Sequence, residues 1–78
     1  MWSEGIIASP ATGRKYKYWV KHYDEGSEFG IDGGKISKLT IRELGGGKDL
    51  YNFDRGLDIP PANKDVEAVL RIVLEKYN

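Results

Sequence analysis

The C-terminal stretch of the sequence carries its strongest structural signal, a single apolar stripe with helical spacing. The stripe occupies positions i, i+3, i+4, i+7, i+8 and i+11, which are Val66, Val69, Leu70, Val73, Leu74 and Tyr77. This spacing predicts a helix from Lys64 to Tyr77, with Asn63 as the N-cap that accepts from a first-turn amide. A helix of about four turns is marginal alone in water, so we expect Val69, Leu70 and Val73 to be buried against a sheet.

The residues before this helix form short strand-like runs separated by turn formers. β-Branched and aromatic residues predict four strands, over Trp2–Ala8, Lys15–Tyr23, Ile36–Leu44 and Leu50–Arg55. Glycines make Asp24–Gly34 a loop, and Pro60 and Pro61 stiffen an irregular connection from Gly56 to Ala62. The sequence therefore predicts an α+β fold, a four-stranded antiparallel meander (ββββα) with one C-terminal helix packed on one face.

Length and composition set the boundaries of the interpretation. A chain of 78 residues allows one domain, spanning 1–78. The absence of cysteine excludes disulfides and thiolate metal sites and fits a reducing compartment. No apolar run approaches the ~20 residues that span a bilayer, and the first residues do not resemble a signal peptide. We therefore expect a cytoplasmic protein without membrane association.

Period-two alternation assigns the strand residues to two faces of the predicted sheet. The face that the helix should cover is apolar and aromatic, and it consists of Tyr16, Tyr18, Val20, Leu39, Ile41, Tyr51 and Phe53. The other face is polar and basic around one tryptophan, and it consists of Lys15, Lys17, Trp19, Lys21, Lys38, Thr40, Arg42, Asn52 and Asp54.

Six residues of this second face are candidates for binding: Lys15, Lys17, Trp19, Lys21, Lys38 and Arg42. Cations beside an aromatic ring suit a single strand of nucleic acid. An exposed tryptophan equally indicates a protein partner or self-association, and a solvated face with protective lysines is a third interpretation. Because 12 basic and 12 acidic residues cancel and Asp54 can neutralise Arg42, we expect weak nucleic-acid binding at most and favour a protein contact.

Residues with catalytic or metal-binding chemistry are few. His22 is the only histidine and there is no cysteine, so most zinc-binding arrangements are excluded. We therefore expect His22 to be a structural or surface residue. The loop after the second strand has four acidic residues, Asp24, Glu25, Glu28 and Asp32. Their spacing does not match that of the calcium ligands in an EF-hand. No nucleophilic triad is evident. We expect no catalytic residue, metal or cofactor, so a small enzyme is the least supported alternative.

An arginine between two aspartates precedes the predicted helix. We expect Asp54, Arg55 and Asp58 to form a structural clamp that ties the irregular connection to the sheet. In the alternative, Arg55 presents its guanidinium to a carboxylate or phosphate.

Two stretches carry a specific pattern together, Asp24–Leu39 (DEGSEFGIDGGKISKL) and Tyr51–Pro60 (YNFDRGLDIP). In them the chain resembles a family of short uncharacterised proteins from Gram-positive bacteria and their phages or mobile elements. The resemblance spans nearly the whole chain, although its pattern implies a shorter first hairpin at Ser9–Thr12 and a tryptophan where this chain has Leu57. It implies no established activity. The function is therefore unknown, and we expect a non-enzymatic protein-binding or interaction module.

Overall fold

The chain forms an antiparallel meander of five strands followed by one helix, and the computed structural model describes all 78 residues. The elements are β1 (Trp2–Ala8), β2 (Lys15–His22), β3 (Ile36–Glu43), β4 (Tyr51–Asp54), β5 (Leu57–Ile59) and α1 (Lys64–Tyr77). A 3₁₀ turn, Ile31–Gly33, lies in the loop between β2 and β3. Strand order in the sheet follows the sequence, so β1 and β5 are the edges. The predicted α+β class is confirmed.

The prediction of four strands is wrong, because the sheet has a fifth strand, β5. This strand lies in the segment from Gly56 to Ala62, which was predicted to be an irregular connection. The chain reverses at Arg55 and Gly56, since Arg55 adopts a left-handed conformation with φ 58°. It then pairs with β4 through a register shift beside Asn52. A strand of three residues is too short to show period-two alternation, and Pro60 follows it directly.

The core lies between α1 and one face of the sheet, as the alternation predicts. Six of the seven predicted core residues of the sheet are buried, and the seventh, Phe53, packs against them while half-buried. From the helix, Val66, Val69 and Val73 are fully buried. Leu70 was predicted to be buried, but it is half-buried. The three valines lie at the centre of the apolar stripe and face the sheet, whereas Leu70 lies at the side of the stripe.

Helix α1 begins and ends at the predicted residues. The side chain of Asn63 caps it by accepting a hydrogen bond of 3.0 Å from the amide of Val66. Asp65, in the first turn, accepts hydrogen bonds from three side chains of the β1–β2 hairpin: Ser9 (3.0 Å), Thr12 (2.5 Å) and Tyr16 (3.2 Å). These donors hold the pKa of Asp65 below its ordinary value, the hydrogen bond from Thr12 contributing most, and the charge of Arg14 acts in the same direction.

Gly5 allows β1 to pass close beneath a core aromatic ring. A Cβ at this position would lie 2.6 Å from the hydroxyl of Tyr18 and 2.8 Å from its Cζ. The Tyr18 hydroxyl in turn lies 2.9 Å from that of Tyr77 on α1. Burial, reinforced by this hydrogen bond, raises the pKa of Tyr18 to about 12. The glycine therefore positions the contact that joins the sheet to the end of the helix.

Candidate functional site

The sheet face opposite α1, here called the open face, gathers the six candidate binding residues. Lys15 lies opposite Ala8 at the start of β2. The registers of β2, β3 and β4 then set opposite one another the pairs Lys17–Arg42, Trp19–Thr40, Lys21–Lys38, Lys38–Asp54 and Thr40–Asn52. Because directly opposed side chains lie ~5 Å apart, these residues form one continuous surface.

Trp19 occupies the middle of the open face between two cations. The ammonium of Lys17 lies 5.2 Å from its ring centroid, and the guanidinium of Arg42 lies 5.5 Å from it. Both distances are within the ~6 Å range of a cation–π interaction. The two cations therefore hold the indole in place as a half-buried aromatic centre.

Carboxylates neutralise three of the cations on this face. Lys38 pairs with Asp54 at 3.6 Å, and Lys17 lies 4.0 Å from Glu4 on β1. Arg42 donates from Nε to Asp49 at 2.6 Å, an acid that the sequence reasoning did not connect with it. Asp54 was expected to neutralise Arg42, but the register places it opposite Lys38 instead. The open face is consequently less positive than its lysine count indicates.

Strand β1 adds apolar residues that the sequence reasoning did not include. Its side chains alternate, and the exposed ones share the open face with β2. Trp2 is 59% exposed and Ile6 is 56% exposed. A groove of about 290 Å³ lies between Trp2 and Trp19, with Thr40 and Arg42 as its other walls. The period-two alternation of β1 was the signal that could have revealed these two side chains.

The outer edge of β1 carries backbone groups that no other strand reaches. At one end of β1, Met1 and His22 donate backbone hydrogen bonds to each other, and at the other end the amide of Ser9 donates to the carbonyl of Arg14. In an antiparallel pair, hydrogen-bonded and non-hydrogen-bonded residue pairs alternate, so every second residue between Met1 and Ser9 is bonded to β2. The intervening residues therefore direct their N–H and C=O groups away from β2, and they are Trp2, Glu4, Ile6 and Ala8. These same residues place their side chains on the open face.

The two edges of the sheet differ in how well they are protected. Edge strands are commonly blunted by short length, proline or lysine. β5 has three residues and is followed by Pro60 and Pro61. β1 has seven residues without proline, lysine or arginine, and Glu4 is its one charge. Strand β1 is therefore the edge at which another strand can add.

The predicted clamp of Asp54, Arg55 and Asp58 is not formed. Asp54 pairs with Lys38, and Asp58 accepts a hydrogen bond of 3.0 Å from the side chain of Asn52. Arg55, whose φ is 58°, takes part in no salt bridge, and its guanidinium lies 5.3 Å from the ring centroid of Phe29. Arg55 thus belongs to a different part of the surface.

The residues considered for catalysis or metal binding have structural surroundings. His22 Nε2 lies 2.9 Å from the hydroxyl of Ser3, and its ring centroid lies 4.8 Å from that of Tyr77. No three histidine or carboxylate side chains come together in an arrangement that could hold a metal ion. Burial raises the pKa values of Tyr16 and Tyr51, which belong to the core. These contacts tie His22 and the two tyrosines into the fold.

The fold defines a class of small α+β domains in which a five-stranded antiparallel meander carries one helix on a single face. The model of a domain of unknown function, DUF7678, matches residues 1–78, and the chain belongs to this family. No curated protein and no solved structure matches the chain. Helix α1 does not have the length and apolar character needed to cross a membrane.

Proposed function

We propose that this protein is a non-enzymatic interaction module that works as a dimer, in which β1 pairs antiparallel with β1 of a second copy. The observation that carries the proposal is the unprotected seven-residue edge of β1. Free edges of this kind pair readily with another strand, and main-chain hydrogen bonds then contribute to affinity. The open face beside β1 supplies the side chains that select the partner.

Among the two-fold registers, the one centred on Gly5, the middle residue of β1, pairs the strand along its whole length. A pairing centred on Gly5 places Trp2 opposite the second copy's Ala8, and Glu4 opposite its Ile6. Each of these residues has outward backbone groups, so each pair can form ladder hydrogen bonds. A pairing centred on Glu4 would instead set two carboxylates opposite each other, which is unfavourable. The Gly5-centred register is therefore the one we propose.

This register also suits the shapes of the side chains. The large indole of Trp2 packs over a small alanine, and the two glycines at the centre bring no Cβ atoms into contact. The open faces of both copies lie on the same side of one continuous sheet. The groove between Trp2 and Trp19 is then flanked by the second copy's β1, which buries part of the exposed indole.

The charges of the open face favour a protein contact over the alternative of single-stranded nucleic acid. Binding a polyanion requires cations that are free to replace condensed counterions. Of the five cations on this face, Lys17, Lys38 and Arg42 already have carboxylate partners. Only Lys15 and Lys21 remain without one. We therefore expect any retention on nucleic acid to be weak and to disappear at moderate salt.

The source and the cellular location of the protein form a further part of the proposal. The resemblance in the Asp24–Leu39 and Tyr51–Pro60 stretches implies a source among Gram-positive bacteria and their phages or mobile elements. We propose a cytoplasmic location, where a small dimeric accessory protein acts through contacts with other proteins. Fractionation of the source cells tests the location directly.

Sedimentation equilibrium of two variants tests the dimer. Ile6→Glu puts a glutamate directly opposite Glu4 of the second copy, twice in each dimer, and like charges at opposed positions are unfavourable. The matched control Leu57→Glu puts one on β5, at a side chain that is similarly exposed (59% against 56% for Ile6). We expect the native protein and Leu57→Glu to approach twice the chain mass of 8.8 kDa. We expect Ile6→Glu to weaken dimerisation by about tenfold or more, or ~1.4 kcal/mol.

Two results would overturn the proposal. One is a native protein that stays at 8.8 kDa up to about 1 mM, a concentration that detects even weak pairing. The other is equal weakening by Ile6→Glu and Leu57→Glu, which would assign the contact to a surface other than β1.

A further inference from the structure

A second surface feature lies at one end of the sheet, where the loop after β2 and the turn after β4 meet. It is a cavity of about 280 Å³ with three cations in its wall. Lys21 comes from β2, Lys38 from β3 and Arg55 from the turn between β4 and β5. No aspartate or glutamate lines the cavity. Its wall is therefore positively charged.

Two of these cations have no carboxylate partner anywhere in the chain. Lys38 pairs with Asp54, but Lys21 and Arg55 take part in no salt bridge. The remaining lining consists of the hydroxyls of Ser27 and Ser37 and the rings of Tyr23 and Phe29. Two cations without a carboxylate partner in one wall, Lys21 and Arg55, are groups suited to recognising an oxyanion.

The backbone holds Arg55 over this cavity. Its φ of 58° is rare for a residue other than glycine, and the amide of Arg55 donates to the carbonyl of Ser37 at 2.8 Å. The guanidinium lies 5.3 Å from the ring centroid of Phe29. This contact with the ring leaves N–H groups of the guanidinium free to donate, and no carboxylate pairs with them.

The ionisation of Tyr23 reflects the same positive field. The hydrogen-bonding contact with Lys21 holds the pKa of the Tyr23 phenol below its ordinary value, and Ser37 and Arg55 act in the same direction. The ammonium of Lys21 lies 5.7 Å from the centroid of the Tyr23 ring. A negative charge at the mouth of this cavity is therefore stabilised by groups that the fold has already positioned.

We propose that this cavity binds a small phosphate monoester, with the phosphate held by Arg55, Lys21 and Lys38. The guanidinium supplies a two-pronged contact to two phosphate oxygens, and the lysines supply point charges. The hydroxyl of Ser27, which accepts from the amide of Phe29 at 3.1 Å, is free to donate and completes the donor set. The volume exceeds that of a phosphate group alone, which leaves room for an organic moiety of nucleoside size. This site uses no residue of β1 and does not depend on the proposed dimer.

Titration of the full chain with adenosine 5′-monophosphate tests the proposal, and the chemical shifts of the backbone amides report binding. Inorganic phosphate and adenosine are titrated in parallel to separate the phosphate from the organic moiety. We expect saturable shifts at Phe29, Ser37 and Arg55 with the monophosphate, weaker ones with phosphate and none with adenosine. The matched variants are Arg55→Gln and Arg71→Gln, since Arg71 is an exposed cation on α1, which packs on the other face of the sheet.

We expect Arg55→Gln to weaken binding by about tenfold or more and Arg71→Gln to change it by less than about twofold. Lys21→Gln provides a second variant that leaves the turn at Arg55 intact. Equal weakening by Arg55→Gln and Arg71→Gln would show attraction to overall charge and overturn the site. Adenosine binding as tightly as its monophosphate, or the absence of saturable shifts, would overturn it as well. The native protein's dimerisation is measured separately, so failure of either proposal leaves the other standing.

Discussion

Lys21 on β2 lies directly opposite Trp2 on β1, with its ammonium 5.9 Å from the centroid of a Trp2 ring. The same ammonium lies 5.7 Å from the centroid of the Tyr23 ring, beside the basic cavity. One side chain thus stands where the open face meets the cavity. The two proposed sites are neighbours, and Lys21 lies between them, but only the phosphate site depends on its charge.

Lys21→Gln separates these activities. Removing the charge takes one phosphate contact from the cavity, so we expect the affinity for adenosine 5′-monophosphate to fall by about fivefold to tenfold. Pairing of β1 relies on backbone hydrogen bonds, so we expect the dimer dissociation constant to change by less than about threefold. Titration and sedimentation of the same preparation measure both. A large loss of dimer with unchanged ligand binding would contradict the assignment of Lys21.

Arg55→Gly removes the guanidinium and relieves the left-handed backbone at the same residue. A side chain in this conformation costs roughly 1–2 kcal/mol relative to glycine, and the lost contact with Phe29 offsets about 0.5–1 kcal/mol of that. We therefore expect the free energy of unfolding to stay constant or rise by up to ~1 kcal/mol, while the affinity for adenosine 5′-monophosphate falls by about tenfold or more. Thermal melting and ligand titration check the two halves. A clearly lowered melting temperature would mean that Arg55 serves the fold.

The elements of this fold were predictable where the sequence repeats a pattern several times. The six-residue stripe placed α1 at its observed ends, and alternation placed Tyr18 and Ile41 in the core. β5 was missed because three residues cannot display a period, and its turn depends on Arg55 adopting a conformation that glycine usually supplies. Local propensity carries no signal for such a turn.

The candidate site was only partly predictable, for a related reason. The period-two alternation of the strands placed Lys17, Trp19 and Arg42 on the same face of the sheet. It gives no information about which carboxylates form salt bridges with the two cations. The Arg42–Asp49 contact depends on the course of the glycine turn after β3. The cavity beside Arg55 joins residues from three separate segments, and only the folded chain brings these together.

Gly5→Ala tests the close approach of β1 to Tyr18. The added methyl would displace the Tyr18 ring, which is buried and bonded to Tyr77. We expect a loss of roughly 1–3 kcal/mol in the free energy of unfolding, as in other overpacked cores. Gly47→Ala is the control, because a Cβ there meets no atom within 4 Å. Urea denaturation compares the two, and equal stabilities would refute the contact.

Asp65→Asn tests the tie between the β1–β2 hairpin and the helix. The folded pKa of Asp65 lies below its unfolded value of 3.8, so its contribution is fully present above that value and is lost as pH falls through the folded pKa. We expect the variant to be less stable than the native protein at neutral pH and to lose less stability on acidification from about pH 5 to pH 2. Glu67→Gln, an exposed acid in the same turn, is the control. Parallel pH profiles for native protein and Asp65→Asn would contradict this role.

Hydrogen exchange along β1 tests the central claim most directly, because the proposed pairing protects alternate amides. In the monomer, the amides of Ser3, Gly5 and Ile7 are bonded to β2, whereas those of Glu4 and Ile6 point outward. We predict that Glu4 and Ile6 are protected at concentrations where the dimer prevails and exchange rapidly on dilution, while Ser3, Gly5 and Ile7 stay protected throughout. Rapid exchange of Glu4 and Ile6 at every concentration would contradict the account.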